Sequence, residues 1–182
     1  MEYHLDLIEV KKNIKNLRVG DILYLSGKLF TARDKAHYKM LHIEKEELPF
    51  TLLDMGLYHC GPLMKKEKSK WNVVSAGPTT SSRMEDFEYD FIKKFGIWII
   101  IGKGGMGKST RNALQKYSCI YASFTGGAGV LAANCIKKVK NVYWLDELGT
   151  TEAVWIFEVE EFGPLVIAMD SCGKSIYECL SN

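Results

Sequence analysis

The order of apolar and glycine-rich segments predicts an α/β fold in a single domain, with a mixed sheet flanked by helices. Three observations carry that expectation. Strand-like and helix-like segments alternate through the middle of the chain, and the end is rich in strands. Three separate loops each follow a strand and lead into a helix. A length of 182 residues is enough to bury one proper core.

Taken in order, residues 7–17 carry apolar positions that suit a short helix before the turn Val19-Gly20-Asp21. Ile22 to Ser26 reads as a strand, with Gly27-Lys28 turning into Leu29-Phe30-Thr31. A helix is expected from about Asp34 to Glu46, and an extended apolar stretch from Leu52 to Tyr58 that Cys60-Gly61-Pro62 breaks. The lysine-rich stretch Lys65 to Lys70 reads as a solvated turn or hairpin tip, followed by a strand over 71–76. Ser82 and Glu85 have the S-x-x-E spacing of a capping box for a helix to about Phe95, with Met84, Phe87, Phe91 and Phe95 on its core face. Strand 97–101, a glycine loop, helix 109–117 and strand 119–124 come in series. Gly126-Gly127 opens a helix to about Val139, and strands at 141–145, 153–159 and 164–169 complete the chain.

Composition narrows the function. Apolar residues make up 47% and charged residues 25%, ordinary for a globular protein. The net charge of +2 is too small for a protein that binds nucleic acid or a membrane surface. The five cysteines are Cys60, Cys119, Cys135, Cys172 and Cys179. Their wide spacing fits neither a disulfide framework nor a zinc knuckle nor an iron–sulfur ligand run, so no metal is expected on this chain. Free thiols, no basic-then-apolar leader at Met-Glu-Tyr-His-Leu-Asp and no spanning apolar stretch predict a cytoplasmic protein.

The glycine loop matches G-x-x-x-x-G-K-[ST] over Gly102–Ser109, behind the apolar run Ile97–Ile101. Taken alone, it predicts a phosphate-loop ATPase, with Val142–Glu147 resembling the strand that ends in magnesium-holding acids. The objection is architectural: only about 75 residues follow the loop, too few for the rest of a nucleotide-binding sheet.

The three strand-to-helix loops together point elsewhere. Gly27-Lys28-Leu29-Phe30-Thr31-Ala32-Arg33-Asp34-Lys35-Ala36-His37, Gly77-Pro78-Thr79-Thr80-Ser81-Ser82-Arg83-Met84 and Gly102-Lys103-Gly104-Gly105-Met106 resemble, in order, signatures of the class I fumarate hydratase and L-tartrate dehydratase family. Tyr58-His59-Cys60-Gly61-Pro62, Gly126-Gly127-Ala128, Glu152-Ala153-Val154-Trp155 and Asp170 extend the resemblance over about Leu17 to Gly173. It is similar to the C-terminal portion of these enzymes, and a start at Met1 favours the form in which that portion is a separate β subunit.

The resemblance implies a swivelling β/β/α domain and reversible hydration of a four-carbon dicarboxylate, fumarate/(S)-malate first and L-tartrate/oxaloacetate next. Hydration of fumarate is a step of the tricarboxylic acid cycle. The resemblance further implies a [4Fe–4S] cluster ligated by a partner α subunit and not by this chain, in a heterodimer or α2β2 assembly. Arg33, Arg83 and Lys103 are implied to bind substrate carboxylates, and Thr79 to transfer the proton. The chemistry asks for such residues: removing a proton beside a carboxylate builds negative charge there, and preorganised cations lower that barrier. Threonine is a poor base unless cations stabilise its alkoxide or a partner relays the proton. Asp34 is expected to orient Arg33, and His37 is either a supporting donor or a satisfied helix histidine. Gly102, Gly104 and Gly105 are expected to let the backbone approach an anion beside Lys103. Thr80, Ser81 and Ser82 read as turn and cap residues, and Lys108 as solvent-facing. A third class, a non-catalytic dicarboxylate-binding module, would bind malate or fumarate as an isolated chain without any α partner. Ala128-Gly129 and Leu63-Met64 depart from the family's pattern and leave open a substrate other than fumarate.

Overall fold

The computed structural model describes residues 1–125 and 127–177. Its elements, in chain order, are β1 (Glu2–Asp6), α1 (Leu7–Asn13), β2 (Ile22–Thr31), α2 (Asp34–Leu41), β3 (Met55–Tyr58), β4 (Leu63–Glu67), β5 (Lys70–Ser75), α3 (Glu85–Phe95), β6 (Ile99–Gly102), α4 (Lys108–Tyr117), β7 (Ile120–Phe124), α5 (Gly129–Cys135), β8 (Ile136–Tyr143), α6 (Leu145–Leu148) and β9 (Val154–Met169). Short 3-10 turns occupy Lys45–Glu47 and Ser81–Met84. Seven strands form one sheet in the order β1-β2-β3-β6-β7-β9-β8, and β4 and β5 form a separate hairpin.

An additional pairing of β2 with β9 closes β2, β3, β6, β7 and β9 into a barrel-like ring. Within it β2, β3, β6 and β7 run parallel, and β9 is antiparallel to both β7 and β2. Burial on both faces explains why these strands are apolar without alternation. Ile99 and Ile101 pack with Leu29, Tyr58, Ile120 and Trp155 on one face. Ile100 packs on the other face with Phe30, Leu57 and Tyr121, against α2, α3 and α4 through Met40, Phe91 and Leu114. The α/β class and the mixed sheet flanked by helices are as the sequence predicts.

Several boundaries differ, each for a physical reason. Gly27 does not turn the chain: β2 runs through it with a register shift against β9, at φ +131 and tight against Leu7. The helix expected to reach Glu46 stops at Leu41, where the Lys94 ammonium of α3 donates to the carbonyls of Leu41 (2.9 Å) and Ile43 (2.6 Å). The helix expected to run to Val139 ends at Cys135, and Ile136–Tyr143 is a strand. Two register shifts against β9, at 136/138 and 139/141, make inward residues recur every three positions, so Ile136, Val139 and Val142 imitate a helical period. Gly126, read as opening that helix, lies outside the described residues. The two expected strands after Ala153 are one sixteen-residue strand, β9, which spans the ring and carries β8 on its outer edge. β1 was not expected; it pairs parallel with β2 from Glu2↔Ile22 to Asp6↔Ser26.

The capping box also falls. Ser82 is exposed, and α3 begins with no side-chain cap. The Glu85 carboxylate instead reaches the start of α4, accepting from the N–H groups of Gly107 (2.6 Å), Ser109 (3.0 Å) and Thr110 (3.2 Å) and from Thr110 Oγ1 (2.7 Å). Charge at a helix N-terminus adds to those bonds. Replacing Glu85 by Ala should lower the unfolding free energy by about 1–3 kcal/mol. The change Ser82→Ala should stay within about 0.5 kcal/mol, both read by urea unfolding.

Candidate functional site

Thr31, Tyr58 and Ile101 stand side by side in the parallel register, so β2, β3 and β6 end at one edge of the ring. In such sheets the loops leaving the carboxyl ends of strands form ligand sites. Here they are Ala32-Arg33-Asp34, His59–Pro62 and Lys103–Gly107. The segment Gly77–Arg83 threads between the last two. It is held by bridges Cys60↔Pro78 and Thr80↔Lys103 and by N–H bonds from Thr79 to His59 O (2.8 Å) and from Ser81 to Lys103 O (3.0 Å). Arg33, Thr79, Arg83 and Lys103, far apart in sequence, thus share one edge.

The two arginines are joined through Asp34. Its Oδ2 accepts from Arg83 Nη2 at 2.8 Å and lies 4.0 Å from Arg33 Nε. Arg33 lies nearer to Glu152, with Nε to Oε1 at 3.4 Å, while Glu152 Oε2 accepts the Lys35 N–H at 3.0 Å. Arg33 is 20% exposed and Arg83 50%, so the first is wedged into the site and the second reaches outward. Asp34 is thus hydrogen-bonded to Arg83 and ion-paired with Arg33, and Glu152, which the sequence reading left without a role, is the nearer carboxylate to Arg33, whose buried Nε has no aligned hydrogen bond. Gly61 makes room for that wedge: a Cβ there would stand 2.6 Å from Arg33 Nη1. Thr79 is half-buried and backbone-anchored, and Lys103 is half-buried with no partner for its ammonium among the described residues.

Beneath these loops lies a polar layer. His37, His59, Ser81 and Glu88 are all fully buried. His37 Nδ1 is 2.9 Å from Arg33 O, and because a carbonyl only accepts, Nδ1 carries the hydrogen. His59 Nδ1 is 2.9 Å from Ser81 Oγ, which also accepts the Lys103 N–H at 3.3 Å. Glu88 Oε2 sits 3.1 Å from His59 Nε2 and 3.6 Å from His37 Nε2. These last approaches lack hydrogen-bond alignment, and with its hydrogen on Nδ1 a neutral His37 turns a lone pair toward Glu88, so the three groups are packed together without satisfying one another. The Tyr121 hydroxyl stands between Ser81 Oγ (3.0 Å) and Gly104 O (2.8 Å). Burial pushes the His37 imidazole down to about 4 despite the opposing pull of Glu88.

Sequence reasoning missed His59, Ser81, Glu88 and Glu152. Ser81, read as a turn residue, does open the 3-10 turn Ser81–Met84, and it is also a buried junction. Glu88 had a legible signal: with Met84, Phe91 and Phe95 it completes the buried stripe of α3, where Phe87 was expected but is only half-buried. His37 joins the buried layer rather than standing alone in its helix.

The glycine loop is not shaped for a triphosphate. The N–H groups at its helix end are taken by Glu85, and the Lys103 N–H by Ser81. Gly102 is required by Ser81, whose Oγ would lie 1.8 Å from an added Cβ. Gly104 turns at φ +72 and gives its carbonyl to Tyr121 and Tyr177, and Gly105 packs on the Tyr177 ring. Lys108 is exposed, as expected, and Asp146 and Glu147 lie in α6 after the outer strand β8, where Glu147 pairs with Lys39.

Among the described residues, the cysteines offer no cluster site. Cys60 and Cys119 are buried with thiols pushed up by burial, Cys135 is half-buried and Cys172 exposed. Cys179 lies outside the described residues. Among the described residues, the single group spaced to hold a metal ion is His37, His59 and Glu88. The four described cysteines form no group spaced to hold a metal ion or cluster. No helix of the described residues is long and apolar enough to cross a membrane.

The profile of the family described as Fumarase C-terminus matches residues 1–180. A Methanocaldococcus jannaschii protein, provisionally named L(+)-tartrate dehydratase subunit beta, is 52% identical over 98% of this chain and 92% of its own length. The Escherichia coli K12 protein named L(+)-tartrate dehydratase subunit beta is 40% identical over 91% of this chain and 81% of its own. A Geobacillus stearothermophilus protein, provisionally named class I fumarate hydratase, is 42% identical over 92% of this chain, which spans 32% of that longer protein.

The buried histidine gives a pH test. Its folded pKa lies below the ordinary value of 6.5, so between those two values the unfolded chain binds a proton that the folded chain refuses. Stability should therefore fall as pH drops from 6.5 to about 4, by at most about 1.4 kcal/mol per pH unit from this group. Urea unfolding of the His37→Phe variant should show a shallower slope in that window. An unchanged slope would show that His37 is not the group responsible.

Proposed function

The chain belongs to the Fumarase C-terminus family, and from that premise we propose that it is the β subunit of a hydro-lyase that reversibly hydrates a four-carbon dicarboxylate. Its substrates are fumarate/(S)-malate or L-tartrate/oxaloacetate, and it works with an α subunit that bears the iron–sulfur cluster. The observation that carries this reading is the convergence of Arg33, Arg83, Lys103 and Thr79 on one edge of the ring. The names of the relatives support the reaction class, and both diacids belong in the test.

Arg33 and Arg83 present planar guanidinium groups to carboxylate oxygens, a geometry suited to paired hydrogen bonds. Arg33 stands wedged between the carboxylates of Glu152 and Asp34 before any ligand arrives, so little reorganisation is left to the reaction. Arg83 keeps its outward half for the ligand. Lys103 brings a third positive charge to two protein carboxylates, leaving the edge net positive for a dianion. In dehydration the proton leaves the carbon beside a carboxylate as the hydroxyl leaves its neighbour. Thr79 Oγ1 takes that proton as an alkoxide stabilised by the surrounding cations, and returns it in hydration. When bound, the partner's cluster supplies a Lewis acid for the leaving hydroxyl. This chain supplies charge, orientation and the proton.

Co-expression with its α subunit under anaerobic conditions should yield a complex active on fumarate, malate or L-tartrate. A complex inert to every four-carbon dicarboxylate would overturn the proposal. Within the active complex, Arg33→Ala and Arg83→Ala should each lower kcat/KM by about 100- to 1000-fold. The exposed Lys108→Ala should change it less than about twofold. A loss at Lys108 with none at Lys103 would return the function to phosphate chemistry.

A further inference from the structure

The proposed chemistry uses neither imidazole of the buried layer, nor the carboxylate between them. Burying a carboxylate and two imidazoles without aligned hydrogen bonds costs free energy that a hydrocarbon layer avoids. Phe91 already supplies such hydrocarbon, its ring 4.4 Å from that of His37. The polar group therefore asks for a reason beyond packing.

Its connections give one. The three residues come from three elements: His37 from α2, His59 from the end of β3 and Glu88 from α3. His37 Nδ1 reaches Arg33 O. The His59 carbonyl accepts the Thr79 N–H. The His59 ring meets Ser81 Oγ, which accepts the Lys103 N–H. One residue from each site loop is thus linked to an imidazole, or to its backbone, that packs against a common carboxylate. A metal ion suits the group less well: structural zinc sites have four ligands, and three-ligand sites keep an open position that a fully buried trio does not offer.

We propose that Glu88 is a positioning residue for the hydration reaction, locking the Arg33, Thr79 and Lys103 loops into one geometry through His37 and His59. The inference rests on the function proposed above and adds a residue that never meets the substrate. A misplacement of about 1 Å at a reacting group can cost about 100-fold in rate, so a remote anchor can govern turnover.

The test uses the complete complex with its α subunit. Glu88→Ala should lower kcat/KM by about 100-fold, mostly in kcat, while the circular dichroism spectrum and co-purification with the α subunit are retained. Glu88→Gln should recover to within about tenfold of the parent, because the carboxamide keeps the shape and can set its NH2 where Oε2 stands, with one N–H toward His37 Nε2 and one toward His59 Nε2. Amide exchange should speed up in residues 32–35, 77–83 and 102–105 of Glu88→Ala and not of Glu88→Gln. Should Glu88→Ala not assemble, Ser81→Ala cuts the branch to Lys103 alone and should lower kcat/KM about tenfold. Parent-like kinetics in assembled Glu88→Ala, or in Ser81→Ala where Glu88→Ala does not assemble, would overturn the proposal. So would Glu88→Gln as impaired as Glu88→Ala, or one equivalent of a divalent metal that Glu88→Gln loses. A parent complex inactive on every diacid but showing the exchange pattern would sink the hydro-lyase reading while leaving Glu88 as the anchor of the loops.

Discussion

Parallel pairing of β2, β3 and β6 in one register is the constraint on which everything else in this molecule depends. Thr31, Tyr58 and Ile101 stand abreast, so the loops that follow leave the sheet at one level. The ring is kept closed by β9, which pairs with β7 on one side and β2 on the other. Slipping one parallel strand by a single residue would exchange its side chains between the two cores and carry its loop away from the others. The charged site is thus a consequence of hydrophobic registration, with Ile99, Ile100 and Ile101 alternating between two cores.

On that scaffold the polar groups form two tiers. The upper tier is open, with Asp34 shared between Arg33 and Arg83 and Glu152 bracing Arg33. The lower tier is closed, with Glu88, His37, His59 and Ser81 entirely out of water. The half-exposed Arg83–Asp34 pair contributes little to stability and readily exchanges partners, which suits a surface meant to accept an anion. Buried polar groups cannot exchange with water, which suits a support.

Much of the fold could be read from local pattern. Apolar runs ended by glycine marked β6 and β7, and the lysine-rich hairpin tip between β4 and β5 was legible from charge alone. What escaped was set by tertiary pairing. Bulges gave β8 a three-residue period, and Gly27 looked like a turn because a bulge and a turn both want positive φ. Glu85 had the spacing of a local cap but serves a helix more than twenty residues on. The charged residues of the site were legible through family resemblance, whereas Glu152 and His59 were visible within matching segments without a role. Glu88 stood in an apolar stripe as an anomaly that periodicity alone could not interpret. The phosphate-loop match shows how a short pattern misleads: its glycines answer to Ser81, Tyr121, Tyr177 and Glu85, groups that the pattern does not mention.

The central claim is that Arg33, Arg83 and Lys103 of this chain hold the carboxylates of a four-carbon diacid. The most direct measurement is a crystal structure of the αβ complex with (S)-malate or L-tartrate bound. The account predicts ligand carboxylate oxygens at about 3 Å from both guanidinium groups and from Lys103 Nζ, with Thr79 Oγ1 facing the carbon that loses its proton. A ligand held by the partner subunit alone, with Arg33 and Arg83 still satisfied only by Glu152 and Asp34, would contradict it.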